Sequence, residues 1–214
     1  MHLIDRRSLI GAALTISFTA AGLVRPAQAQ VDIGRAANFI QTTGQELVAA
    51  INDQTRDLAA RRQQVAAVLR RAVDVDGVGR FILGRWWRTA TPQQQQEYLK
   101  LFEETLIRNL SSRFGEYQGV RFGLGRSQQR TGDDVLVNTI IEQPNSAPFS
   151  LDWRVGEVNG QPRVVDVIAE GTSLRLTQRS EYSSVIQRNN GSVQALLDAM
   201  RGQIQALAAR EQGR

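Results

Sequence analysis

The apolar period of this chain changes near Gly115 and again near residue 171, which leaves few folds open to it. Up to Gly115 apolar residues recur at helical spacing, then they alternate as in strands, and helical spacing returns at the end. Ile33, Ala36, Ala37, Ile40, Leu47, Ala50 and Ile51 mark a first helix reaching about Asp53. Asp57 to Ala72 reads as a second, with Leu58, Val65, Val68, Leu69 and Ala72 on one face and Arg61, Arg62, Arg70 and Arg71 largely on the other. That arginine cluster is a solvated face or a contact to anionic headgroups or an acidic partner. Asp74-Val75-Asp76-Gly77 resembles the start of a calcium loop, but Arg85 stands where such a loop needs a bidentate Glu. The segment therefore caps a short helix that runs on through Phe81 to Trp87. Thr91-Pro92-Gln93-Gln94 is a capping box with Pro in the first turn, and it opens a long helix to about Phe114.

Beyond Gly115 four strands are expected, at 120–125, 135–142, 149–155 and 163–170. Gly132-Asp133-Asp134, Pro144-Asn145-Ser146 and Asn159-Gly160 supply short turns, so the sheet is antiparallel. The third strand sets Leu151, Trp153 and Val155 on one face against Ser150, Asp152 and Arg154 on the other. Asp152, Arg154, Asp166 and Glu170 are expected to pair across strands on the outer face. Gly123-Leu124-Gly125 lies inside a strand and does not complete a nucleotide-binding fingerprint. Tyr182, Val185 and Ile186 mark a closing helix, and Ser192 opens another carrying Leu196, Leu197, Met200, Ile204 and Leu207. The reading is an α+β domain: N-terminal helices, a four-stranded antiparallel curved sheet, then C-terminal helices. With 214 residues and 42% apolar composition, residues 30–214 make a single domain.

Chemistry is restricted by what is missing. The chain has no Cys, and its one His is His2. Residues 1–29 read as a cleaved export signal: Arg6-Arg7, an apolar stretch from Leu9 to Val24, and Ala27-Gln28-Ala29 as a small-x-small cleavage site. The arginine pair suits twin-arginine export, and the general route fits as well. Sixteen diluted apolar residues fall short of the roughly 20 that span a bilayer. The expected location is the periplasm, with Gln30 first in the mature chain. Such a chain has no thiolate, imidazole base or Cys/His metal site. Removing Arg6, Arg7, Arg25 and Asp5 from the 26 basic and 21 acidic residues leaves 23 and 20, a net charge of only +3. The arginines are scattered among carboxylates, so no nucleic-acid partner is expected.

Five segments in order carry a resemblance. They are Arg80-Phe81-Ile82-Leu83-Gly84-Arg85-Trp86-Trp87-Arg88; Thr91-Pro92 with Leu101-Phe102; Asp152-Trp153-Arg154; Val165-Asp166-Val167-Ile168-Ala169-Glu170-Gly171 with Ser173-Leu174; and Tyr182-Ser183-Ser184-Val185-Ile186-Gln187-Arg188. Together the chain resembles the MlaC, or toluene-tolerance auxiliary, family of periplasmic phospholipid-binding proteins over about residues 35–207. The resemblance implies a cone related to cystatin and nuclear-transport-factor domains, enclosing an apolar cavity for lipid tails. It implies a carrier that moves phospholipid between membranes and maintains outer-membrane lipid asymmetry. The implied partners are phospholipid, an inner-membrane ABC transporter complex with an MCE-domain subunit, and an outer-membrane lipoprotein complex. A hopanoid-associated branch of the family shares these features, so the cargo stays open between the two.

Lipid carriage suits the residues. A buried methylene is worth about 0.8 kcal/mol, so a sixteen-carbon chain in water forfeits on the order of 12 kcal/mol. A carrier needs walls without unpaired polar groups. The expected lining is Phe81, Leu83 and Trp87 of the short helix, Phe102 and Leu106 of the long one, and Val137, Leu151, Trp153, Val165, Val167 and Ala169 of the sheet. Trp86 and Trp87 point about 100° apart on a helix, so only one of them fits the core and the other a pocket rim or partner surface. Headgroups are expected to stay near solvent. No cofactor, metal or catalytic residue is expected, and bound phospholipid is cargo. Two other classes differ in the cavity itself: an enzyme of this cone type needs a polar group with a perturbed pKa there, and a non-lipid-binding bridging module of an ABC system has no cavity.

Overall fold

A computed structural model describes residues 31–114, 116–130, 132, 134–144 and 146–212. The export signal expected at 1–29 lies outside them, as do Asp133 and Asn145 of two expected turns. Helix α1 spans Ile33–Asn52, α2 Leu58–Ala72, α3 Val75–Leu83 and α4 Pro92–Ser111, with a 3-10 turn at Gly84–Arg88 between the last two. Strands β1 (Arg121–Gln129), β2 (Val135–Glu142), β3 (Phe149–Val158), β4 (Gln161–Ala169) and β5 (Thr172–Ser173) follow, then α5 (Leu174–Arg188) and α6 (Val193–Gln212). The caps are those the residue types demand. Asp32, Asp57 and Asp74 each accept a backbone N–H of their helix's first turn, and Thr91 and Gln94 complete the capping box.

The strands form one antiparallel meander in chain order. Strands β1 and β3 run further than the sequence suggests, to Gln129 and Val158, and two further points differ from the expectation. A fifth strand is present, because Glu170-Gly171 makes a two-residue turn with both φ positive (51° and 76°), as Asn159-Gly160 does at the other end of β4. Glu170 carries a Cβ into that left-handed region, so composition hides the turn. The second difference is a bulge. Arg154 faces Asp166 and Val155 faces Val164, which leaves Val165 unpaired. Val164, 3% exposed, therefore joins Val135, Val137 and Val155 in the core, and the inner-face position expected for Val165 belongs to its neighbour.

Three apolar clusters hold the fold. One lies among α3, α4, α5 and α6 around Tyr98, Phe102, Ile186, Leu196 and Met200. Tyr98 stacks on Phe102, meets Tyr182 edge-on, and donates its hydroxyl to the Gly79 carbonyl at 2.9 Å. The second joins the start of α1 to the inner face of β2, β3 and β4, and the third joins the end of α1 to α2 and the chain between α4 and β1. Burial pushes the Tyr98 and Tyr182 phenols well above their ordinary value of 10. The folded state thus holds protons that the unfolded chain releases, so the contribution of these phenols to stability is complete below about pH 10 and declines progressively as the pH rises above it. Urea midpoints measured from pH 8 to 11 are expected to fall beyond pH 10, and less so in Tyr182→Phe.

The expected surface chemistry is rearranged. Arg70 pairs with Glu103, Arg71 with Glu46 and Arg62 with Glu211, while Arg61 donates to the carbonyls of Ala50 and Ile51 and lies over Phe114. The α2 arginines thus tie helices together. On the outer sheet face Arg154 pairs with Asp134 rather than Asp166. Asp166, 6% exposed, takes the Val167 and Arg175 backbone N–H groups, the Ser173 hydroxyl and the Arg175 guanidinium.

Candidate functional site

α1 crosses the inner face of the sheet as a strut fixed at both ends. At its start Arg35 reaches Glu157 at 3.2 Å and the Gly160 carbonyl at 2.7 Å. At its end Asn52 donates to the Val120 carbonyl (3.2 Å) and accepts from the Gly119 N–H (2.8 Å). Gly44, midway, lets the helix rest on Phe122: a Cβ there would lie 2.4 Å from the ring. Between the second and third clusters a cavity of about 540 Å³ remains beneath the helix. That is a ligand-sized space.

Its roof is Ile40, Thr43, Gly44, Leu47, Val48 and Ile51 of α1, spaced three and four apart. The floor is Phe122 of β1, Ile141 of β2, Phe149, Leu151 and Trp153 of β3, and Ala169 of β4. Leu69, Leu110, Tyr117 and Val120 close one side, and Arg113, Gln143 and Leu174 complete the wall. The wall is almost wholly apolar, and Trp153 on its floor gives its N–H to the Thr139 hydroxyl at 2.8 Å. Phe149 and Leu174 stand 39% and 48% exposed, so the cavity opens between the β3 start and the α5 start. No carboxylate lines it among the described residues, and none of those residues form a cluster of three or more metal-binding side chains.

Of the residues expected to line a cavity, Leu151, Trp153 and Ala169 do so. Phe81, Leu83, Trp87, Phe102 and Leu106 are drawn instead into the all-helical cluster, which contributes nothing to the cavity wall. Both tryptophans pack there: Trp86 donates to the Ser183 hydroxyl under Arg85, and Trp87 meets Tyr98 edge-on under Arg80. Val137 is fully buried and Val167 packs beside it, both outside the wall. The roof was missed, although its helical stripe is plain in the sequence, because that stripe reads equally as ordinary core.

With this geometry in hand, the family model for the MlaC protein matches residues 41–202. The chain belongs to the MlaC family. Among its relatives, a toluene tolerance protein of Pseudomonas putida, ttg2D, is 22% identical over 64% of each chain. The intermembrane phospholipid transport system binding protein MlaC of Haemophilus influenzae is 24% identical over 48% of this chain and 50% of its own. The matched stretches thus span less than two thirds of these relatives' lengths. A phospholipid-binding protein from Ralstonia solanacearum, solved in complex with a phospholipid, shares the fold at a TM-score of 0.71 and 24% identity, covering 81% of this chain and 98% of that one. The family match thus begins within α1 and runs through the sheet into α6. No helix among the described residues is long and apolar enough to cross a membrane.

Proposed function

We propose that this chain is a periplasmic carrier that holds phospholipid acyl chains under α1 and moves them between inner- and outer-membrane complexes. The observation that carries the reading is a ligand-sized cavity walled almost wholly by apolar side chains, with the indole N–H of its Trp153 floor residue already paired. Such a space rewards hydrocarbon and offers water little. The names and the ligand of the relatives point the same way. Residues 1–29 act as the export signal, and an ABC transporter complex with an MCE-domain subunit and an outer-membrane lipoprotein complex are the exchange partners. Leu151, Trp153 and Ala169, with the α1 stripe, hold the tails. Carriage of this kind needs binding alone and no covalent step. The cavity also favours this reading over a bridging module, which has no use for one.

Native mass spectrometry of the protein purified from periplasm tests this. A stoichiometric added mass matching a diacyl phospholipid is expected, with Gln30 as the first residue. A hopanoid-type mass reassigns the cargo, and an apo mass that takes up nothing from phospholipid vesicles overturns the carrier reading.

A further inference from the structure

The cavity wall has one charged side chain among the described residues, Arg113, and two polar side chains with donor groups, Tyr117 and Gln143, line the same wall. Arg113 lies in the turn after α4, where its carbonyl accepts the N–H groups of Glu116 (2.9 Å) and Tyr117 (3.0 Å). That turn sets Tyr117 on the same wall. The loop runs on to Gly119, where a Cβ would lie 2.9 Å from Pro144, so it adjoins the loop that carries Gln143. Arg113 is exposed, while Tyr117 and Gln143 are half-buried. Among the described residues, none of the three side chains has a hydrogen-bond or ion-pair partner. Neighbouring cations are matched: Arg108 by Glu104 and Glu211, and Arg121 by Glu142.

A guanidinium, a phenol and a carboxamide at the edge of an apolar wall supply donors suited to an oxyanion whose attached chains lie in the cavity. We infer that Arg113, Tyr117 and Gln143 grip the phosphodiester of the cargo lipid, which makes Arg113 a specificity residue for phosphate-bearing over phosphate-free lipids. This rests on the carrier reading. The phosphodiester is common to every phospholipid, so this grip leaves the group beyond it unread and in solvent.

The test exposes delipidated protein to vesicles containing phosphatidylglycerol and diacylglycerol of identical chains in equal amounts, then extracts and quantifies what is bound. The native protein is expected to favour the phospholipid by about tenfold or more. Arg113→Gln should narrow that preference about three- to tenfold, and Tyr117→Phe about twofold. Arg113 has no partner to lose, so its variant should keep the native melting temperature. An unaltered preference in both variants, or equal capture of both lipids by the native protein, overturns the headgroup grip while leaving the carrier intact. Capture of neither lipid overturns the carrier reading itself. Inorganic phosphate in millimolar excess is expected not to displace the phospholipid. Displacement by phosphate would reassign the three donors to the free ion.

Discussion

Leu151→Asp is expected to empty the cavity. Leu151 sits on the floor, half-buried because one side of it faces the open space. In the empty protein an aspartate there is hydrated, so the cost to folding is about the lost burial of one leucine, roughly 2 kcal/mol. A tail laid over it must strip that carboxylate of water, which costs at least about 3 kcal/mol and more than a hundredfold in affinity. Lipid recovered with the purified variant should drop below detection while its circular dichroism stays native. Ile140→Asp is the matched control. Ile140 lies one residue from Thr139 on the opposite face of β2 and is 43% exposed, so lipid content should not change. Equal lipid in native protein and Leu151→Asp would show that tails do not rest on this floor. Val167→Asp is a poorer test, since Val167 packs in the adjoining cluster and a charge there attacks the fold.

Asp166→Ala is expected to be the most damaging single change to stability. Its carboxylate is the meeting point of β4, β5 and α5, and Arg175 beside it is 17% exposed at the side chain. Burial first, and the neighbouring Arg154 second, hold Arg175 below its ordinary pKa, with Asp166 opposing both. Removing the carboxylate takes the ion-pair partner from a largely buried guanidinium, leaving it the Val165 carbonyl and the Phe81 ring, and takes an acceptor from two backbone N–H groups and the Ser173 hydroxyl, a loss of about 3–5 kcal/mol. For a chain of this length that lowers the melting temperature by roughly 10 °C. Asp166→Asn, which keeps an acceptor, should lose about half as much. Thermal melts check both, and a fall under about 2 °C in the alanine variant would mean that α5 is anchored elsewhere.

Capping and turn chemistry made much of this fold readable in advance. Thr91, Asp57, Asp74 and Asn159-Gly160 each act locally, so residue type alone announces them. The departures are all tertiary. Glu170 adopts a turn conformation its type disfavours, and the bulge at Val165 shifts the parity of β4, which no alternation count can anticipate. Asp166 read as a surface charge because periodicity places it outward, and only the return of α5 over that face buries it. The cavity was legible in kind but only partly in place. Motif residues such as Phe81 and Phe102 drew attention by their size, and size is what close packing uses first. The wall proved richer in α1, whose modest Ile, Leu, Val, Thr and Gly residues leave space rather than fill it.

The two fastenings of α1 bear on the return journey. A beam carried at both abutments keeps its height whether or not anything passes beneath it. With Arg35 and Asn52 holding the ends to the sheet, discharge of a lipid leaves the span standing. On the proposed carrier function, the vacated molecule need not refold before it loads again, and one copy can make many crossings.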